Sequence, residues 1–283
     1  MWRFSNPLGK PCRRAASFCI LVLFCLIFLP ACILEPITGR RQLALLSENE
    51  ANQMGAQAYQ QMMGEAKMST NTAQNAQVER VGRRIAAVTD QRLAAEGREK
   101  YQWEFRVIDE PQTVNAFALP GGKVAVYTGI LPITQTDAGL AVVMGHEVGH
   151  AYAQHGRKRV SEQVLSQFSL GVVQSALGGE TASEPAKLAI AALGVGYHLG
   201  VELKFSRDDE SAADHIGLIL MAEAGYDPRE AATFWQRMEA AGGPGPMEFL
   251  STHPSPGNRV AQIEKLLPEA TQIYEKSRVG GRP

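Results

Sequence analysis

Cysteine is almost missing from this chain, because Cys12, Cys19, Cys25 and Cys32 are its only cysteines and all lie near the N-terminus. The long remainder has none, which excludes a disulfide-stabilised scaffold and a cysteine-based metal site there. A charge excess of one sign is also lacking, since 28 lysines and arginines stand against 29 acidic residues. Nucleic-acid binders carry a basic surplus, so we expect no nucleic-acid partner.

Long apolar runs are scarce, and the clearest one, Ala15 to Leu29, has four basic residues and no acid before it. The run is shorter than the roughly 20 residues of a spanning helix, and its basic flank is typical of a targeting signal. Its end, Leu29-Pro30-Ala31-Cys32, resembles a bacterial lipoprotein signal. We therefore expect a signal peptide over 1–31, lipid on Cys32 and a periplasm-facing lipoprotein, with Ile33 favouring the outer membrane. The alternative is an uncleaved N-terminal anchor.

Hydrophobic periodicity divides the rest of the chain into a small sheet followed by a helical body. Residues 103–107 alternate apolar and polar side chains, and 114–119 and 123–128 flank a Pro-Gly-Gly turn, which predicts a strand and a hairpin. We expect one α+β, mainly helical domain over 47–277, preceded by a lipid-anchored tether over 32–46. Helical spacing predicts helices near 72–95, 136–155, 158–178, 185–201, 207–224, 228–240 and 257–277.

The motif with the clearest chemistry is His146-Glu147-Val148-Gly149-His150, inside a strongly apolar predicted helix. Positions four apart share one face of a helix, so both imidazoles can direct a nitrogen at one metal ion. Glu147 lies about 100° round the helix from His146, in reach of a water on that metal. Zinc lowers the pKa of such a water, and the carboxylate can take its proton during attack on a carbonyl. The motif predicts a hydrolase with one Zn²⁺ per chain, and the alternative is a polar stripe on a surface helix.

Two histidines and a water leave a tetrahedral zinc ion one ligand short. The candidates are Asp208, Asp209, Glu210 and Asp214, in a helix predicted to begin after Ser206. Spacing alone does not choose among them, and a solvated acidic face is a further alternative. Asp214 lies one turn after Glu210, which suits it to accept a hydrogen bond from a ligand histidine and orient it.

Three motifs in order resemble the HtpX-like and CAAX-prenyl-protease-like gluzincin metallopeptidases, metallopeptidase family forty-eight. They are Asn115 to Gly122, His146 to His150, and Ser206 to Asp214, and the resemblance covers roughly residues 36–265. The segment Pro36 to Leu43 is similar to the entry segment of the family's bacterial lipoprotein members.

The resemblance implies a zincin-like domain in which Glu210 is the third zinc ligand. It also implies a small sheet whose edge strand lies over the zinc site, where substrate pairs as an added strand with Asn115, Ala116, Phe117 and Ala118. Such pairing uses backbone hydrogen bonds and tolerates varied sequences, which favours extended polypeptides as substrates. The alternative is that this segment is only a core hairpin.

The family often has a His-Pro pair at the place of His253-Pro254, with an arginine shortly after, here Arg259. Either side chain near the zinc could stabilise the oxyanion of the tetrahedral intermediate. Alternatively, His253 could occupy the open zinc position and hold the enzyme latent, or be a structural loop histidine. We expect His155 and His198 to be structural and His215 to point away from the metal.

Motifs and resemblance together predict a zinc endopeptidase that cleaves unfolded or misassembled cell-envelope proteins and is held at the membrane by its lipid. A second hypothesis is a holdase or assembly factor for outer-membrane proteins that binds exposed strands and rarely cuts. A third is a structural lipoprotein in which zinc only stabilises the fold. We also expect a gate over the active site, within 156–205 or in the glycine-rich segment before His253.

Overall fold

The computed structural model describes residues 32–176, 205–241, 248–253 and 258–279. The predicted signal peptide, the helix predicted at 185–201 and His198 lie outside these residues. Within the described ranges, no helix combines the length and the apolar character that crossing a membrane requires.

The first described segment folds against the body of the protein. Strands β1 (Cys32–Leu34) and β2 (Arg41–Leu43) pair antiparallel as a hairpin. The connection between them carries Glu35 into the interior, where it is 2% exposed. Gln42 in β2 donates a hydrogen bond to the carbonyl of Ala153. The segment that the sequence predicts as a tether thus contains a packed hairpin.

Two helices precede the main sheet, α1 (Glu48–Glu65) and α2 (Thr72–Ala95). Ser47 and Glu50 form a capping box at the start of α1, and the Asn71 side chain accepts backbone N–H groups at the start of α2. Helix α2 buries an apolar stripe against the sheet and confirms the helix predicted at these residues.

The main sheet has three strands, β3 (Glu104–Ile108), β4 (Ala116–Leu119) and β5 (Lys123–Tyr127), in the order β3-β5-β4. Strands β4 and β5 pair antiparallel across a turn in which Gly121 and Gly122 adopt φ values of +83° and +84°. This confirms the predicted hairpin and makes β4 an outer strand of the sheet. The parallel pairing of β3 with β5 was not predicted, because alternation within a strand carries no information about its partner.

The helical body that follows confirms the α+β, mainly helical prediction. The helices predicted near 136–155 and 158–178 are both present, but the boundary between them lies about three residues earlier, because the first helix ends at Tyr152 and Gln154 has a φ of +62°. The helices are α3 (Leu131–Thr134), α4 (Asp137–Tyr152), α5 (His155–Ala176), α6 (Arg207–Glu223), α7 (Glu230–Ala241), α8 (Glu248–Thr252) and α9 (Arg259–Val279).

Helices α4 and α6 touch backbone to backbone at the centre of the molecule. A Cβ atom on Gly145 would lie 2.9 Å from the carbonyl oxygen of Gly217, and one on Gly149 would lie 2.9 Å from that of Ala213. Side chains here would force the helices apart, so the glycines set the distance between them. This close contact holds the two histidines of α4 beside the acidic first turns of α6.

Candidate active site

Four buried side chains meet where α4, α6 and the end of α8 converge: His146, His150, Glu210 and His253. His146 Nε2 and His150 Nε2 are 3.1 Å apart, and each lies 3.3 Å from a carboxylate oxygen of Glu210. His253 Nδ1 lies 3.0 Å from Glu210 Oε1 and 3.3 Å from His146 Nε2. Four ligand atoms of the type that zinc prefers therefore face one point.

The separations fit a tetrahedral zinc ion. With zinc–ligand bonds of about 2.0 Å, neighbouring ligand atoms of a tetrahedron lie about 3.3 Å apart. Imidazole nitrogens that face one another in a buried site also need a proton or a cation between them, because two lone pairs cannot satisfy each other. Imidazoles and a carboxylate are a common zinc ligand set.

The charges of the site favour an ionised Glu210. Burial raises the pKa of its carboxyl, but the charge of His253 and hydrogen bonds with His146 and His150 outweigh burial and hold that pKa well below its ordinary value. Burial lowers the pKa of His146, yet hydrogen bonds to Asp214 and Glu210 raise it to about 9. For His150, burial dominates and the pKa falls well below the usual value.

Asp214 and Arg259 support His146 from behind. Asp214 Oδ1 lies 2.8 Å from His146 Nδ1, as predicted for a group that orients a ligand histidine. Arg259 donates to both Asp214 oxygens, at 2.8 and 2.7 Å, and its guanidinium stacks 3.6 Å from the centroid of the Trp235 ring. Arg259 Nη2 also lies 3.4 Å from Glu210 Oε2 and from His146 Nε2, and its oxyanion role stays a prediction.

His150 has a different support. Its Nδ1 lies 2.8 Å from Nδ1 of His155, whose Nε2 lies 2.6 Å from Glu35 Oε1. Phe205 stacks on the His150 imidazole, with ring centroids 4.0 Å apart. The sequence predicts only a structural role for His155, and Glu35 and Phe205 were missed. No helical spacing could have revealed His155, because it begins a new helix after the break at Gln154.

Glu147 lies between the four ligand candidates and the sheet. Its Oε1 has no hydrogen-bond partner in the described part of the chain, and it lies 3.4 Å from His253 Nε2. Burial raises the pKa of Glu147, while the charge of His253 and a hydrogen bond from the backbone of Ala118 lower it by less. A buried carboxylate with one unpaired oxygen and a raised pKa is suited to accept a proton.

Residues Asn115 to Ala118, the predicted substrate-binding segment, lie on the outer side of the sheet, and Ala118 contacts Glu147. The carbonyl just before them, that of Val114, accepts a hydrogen bond of 3.1 Å from the Phe249 N–H in α8. The segment is therefore next to the candidate metal ligands, and α8 contacts its beginning.

The structure distinguishes Glu210 from the other acidic residues considered as the third zinc ligand. Asp208 is exposed, and Asp209 points to Lys158 Nζ, 2.7 Å away, so Glu210 is the acid that reaches both α4 histidines. His215 pairs with Glu269 at 2.9 Å and points away from the site, as predicted.

Known proteins were compared with the chain. The family described as Peptidase family M48 matches residues 72–267. The mitochondrial metalloendopeptidase OMA1 of Schizosaccharomyces pombe is 36% identical over 86% of this chain and 68% of that protein. The mitochondrial metalloendopeptidase OMA1 of Homo sapiens is 31% identical over 90% of this chain and 49% of its own length. The Escherichia coli β-barrel assembly-enhancing protease is 26% identical over 80% and 45%, so the chain spans about half of these last two relatives.

These relatives contradict the predicted localisation. The sequence predicts a periplasm-facing lipoprotein, with the outer membrane favoured, whereas the yeast and human relatives are named as mitochondrial. The error has a physical source, because basic, acid-free N-termini occur both in secretory signals and in mitochondrial targeting segments. The predicted lipid anchor depended on a bacterial periplasmic location, so these relatives give it no support. Cys32 is exposed, and its lipid modification stays a prediction.

Proposed function

Since the chain belongs to Peptidase family M48, whose members are zinc metalloendopeptidases, we propose that it cleaves extended segments of unfolded or misassembled proteins. The observation that carries this proposal is the convergence of His146, His150 and Glu210 at 3.1–3.3 Å beside the unpaired oxygen of Glu147. These three side chains hold the zinc ion, with Asp214 orienting His146 from behind.

Glu147 carries the proton transfers. When bound, zinc polarises the scissile carbonyl and lowers the pKa of water. Glu147 Oε1 takes the proton of the attacking water and delivers it to the leaving amine, for which its raised pKa is suited. The backbone hydrogen bond from Ala118 holds the Glu147 carboxylate in place, so that Oε1 stays directed at the reacting water.

Substrate binds as an added strand along the outer edge of β4. The Ala118 contact with Glu147 supports this, since a strand paired at Asn115 to Ala118 brings its own backbone close to the proton acceptor. Strand addition uses backbone groups, which folded proteins have already paired and unfolded segments have free. The selection is therefore for unfolded chain rather than for one sequence.

His253 keeps the resting enzyme latent. Its Nδ1 occupies a place among the zinc ligands, and its Nε2 lies 3.4 Å from Glu147, where the reacting water is needed. The neighbouring Phe249 N–H binds the carbonyl of Val114 at the beginning of the substrate edge. Movement of α8 thus frees the metal position and the edge together.

Substitution of Glu147 by Gln tests the mechanism. We expect Glu147→Gln to keep one zinc ion per chain and to lower cleavage of a reduced, unfolded test protein by about 10²–10⁴-fold, the typical contribution of a general base. Glu79→Gln, at a half-exposed position of α2 that pairs with Arg83, is the matched control and should cut like the parent. Parent-like cleavage by Glu147→Gln would show the mechanism wrong. A parent without stoichiometric zinc would refute the metal centre.

The same assay separates the alternatives. If parent and Glu147→Gln both fail to cut but both suppress aggregation of the unfolded protein, the holdase hypothesis holds. His253→Ala should raise cleavage if His253 enforces latency. A fall in cleavage at full zinc content would instead assign it to the oxyanion, and an unchanged rate would make it a structural histidine.

A further inference from the structure

A buried carboxylate outside the proposed catalytic set needs an explanation. The Glu35 side chain is fully buried, although it belongs to the short hairpin of β1 and β2. Burial raises its pKa, but hydrogen bonds with His155 and Thr38 outweigh burial and lower it, so Glu35 is ionised. An ionised carboxylate inside a protein is costly unless it is paired. Its Oε1 lies 2.6 Å from Nε2 of the His155 imidazole.

A second metal ion is a poor explanation. Glu35, His155 and Asp209 do lie close enough to share a cation. However, Lys158 Nζ lies 2.7 and 2.8 Å from the two Asp209 oxygens, and Arg40 Nη2 lies 3.3 Å from one of them. Two cationic side chains already neutralise this cluster and would repel a divalent ion.

The hydrogen bonds of the cluster lead to His150 instead. A carboxylate only accepts, so Glu35 requires the proton of His155 on Nε2. Because His155 donates through Nε2, its Nδ1 is available as the acceptor for the Nδ1–H of His150, 2.8 Å away. With its proton on Nδ1, His150 keeps the lone pair of Nε2 free, and Nε2 is the atom that faces Glu210 and His146.

We infer that Glu35, in the connection of the hairpin of β1 and β2, is a positioning residue of the metal centre, which orients His150 through His155. The inference rests on the proposed role of His150 as a zinc ligand. Groups that hydrogen-bond a ligand histidine fix its tautomer and ring orientation, and their loss typically weakens metal binding by about 10–100-fold.

Zinc affinity of the full chain, measured by competition with a chromogenic chelator, tests the inference. Glu35→Ala removes the carboxylate, and Glu35→Asp keeps the charge but is one methylene too short to reach His155. We expect both variants to bind zinc about 10–100-fold more weakly than the parent. Glu35→Gln keeps an acceptor at the right length and should recover part of the affinity. Gln42→Ala disturbs the hairpin without touching His155 and is the matched control.

Cobalt substitution adds a readout that general destabilisation does not change. The visible spectrum of bound Co²⁺ should shift in Glu35→Asp and stay parental in Gln42→Ala, because the spectrum reports ligand geometry. Parental zinc affinity and cobalt spectrum in both Glu35→Ala and Glu35→Asp would overturn the inference. So would equal losses in the Glu35 variants and Gln42→Ala. His150→Ala distinguishes a failure of this inference from a failure of the proposed function: if it binds zinc like the parent, the proposed function itself fails.

Discussion

His146 and His150 lie one turn apart on the same helix and are equally buried, yet different groups hydrogen-bond their Nδ1 atoms. Behind His146 is the carboxylate of Asp214, and the pKa of His146 is raised to about 9. Behind His150 is a second imidazole, that of His155, and the pKa of His150 is lowered. Two positions that are equivalent in the motif thus become unequal through the groups that hydrogen-bond their outer nitrogens.

The two supports also differ in where they come from. Asp214 is held by Arg259, which stacks on the core residue Trp235. His155 is held by Glu35, in a hairpin whose strands have only three residues each. The His146 half is therefore built by the central helices, whereas the His150 half depends on a small peripheral element.

The largest expected effect is on the His146 half. Arg259→Met leaves the buried charge of Asp214 without its arginine partner, which should lower the free energy of unfolding by about 3–5 kcal/mol. Urea unfolding at saturating zinc measures it. Arg229→Met breaks an exposed pair with Asp227, which solvent screens, and should cost far less than Arg259→Met. Equal losses in the two variants would remove the distinction between a core support and a surface ion pair.

A medium effect is expected where one change moves both halves. A Cβ atom on Gly217 would lie 2.8 Å from the backbone of Gly145 and His146, so Gly217→Ala must separate α4 from α6. We expect a loss of about 1–3 kcal/mol in unfolding free energy and weaker zinc binding. Gly64→Ala is the control, since its Cβ would meet no atom within 4 Å. A fully stable, zinc-loaded Gly217→Ala protein would contradict a contact-limited helix pair.

The smallest effect is expected at the far end of α4, away from both histidines. Hydrogen bonds from Arg80 lower the pKa of Asp137, and burial opposes them. The folded pKa therefore lies below the unfolded value of about 3.9, so the pair stabilises the protein above that pH, and its contribution is lost as the pH falls through the folded pKa. Because solvent screens the exposed Arg80, Arg80→Gln should lower the free energy of unfolding at pH 7 less than Gly217→Ala does. The difference from the parent in urea unfolding should shrink below pH 4, with zinc affinity at pH 7 unchanged.

Local patterns predicted much of the fold and the inner part of the site. The four-residue spacing of His146 and His150 is a property of one helix, so the sequence alone could place both on one face. The hairpin around the Pro-Gly-Gly turn was predicted for the same reason, because its geometry is local. The choice of Glu210 as zinc ligand needed the family resemblance, since the neighbouring acids carry the same carboxylate group. Only the packing of α6 shows which of them faces the two histidines.

The outer part of the site could not be predicted in this way. Glu35 and His155 are 120 residues apart, and their contact forms only when the hairpin packs on α5. Periodicity records which face of an element is buried and leaves open what that face meets. The break at Gln154 also hid the position of His155, since a left-handed residue between two helices changes the direction of the side chains that follow it.

The wide spacing of the site residues along the chain bears on how the enzyme is made. Glu35 is synthesised first of these residues, His146 and Glu210 follow, and Arg259 is the last. On the ribosome, an unfinished polypeptide has no guanidinium to balance Asp214 and no His253 to cover the metal. The charge of Asp214 is therefore balanced only after residue 259 has been made, and no shorter nascent chain can hold the complete set of contacts around His146.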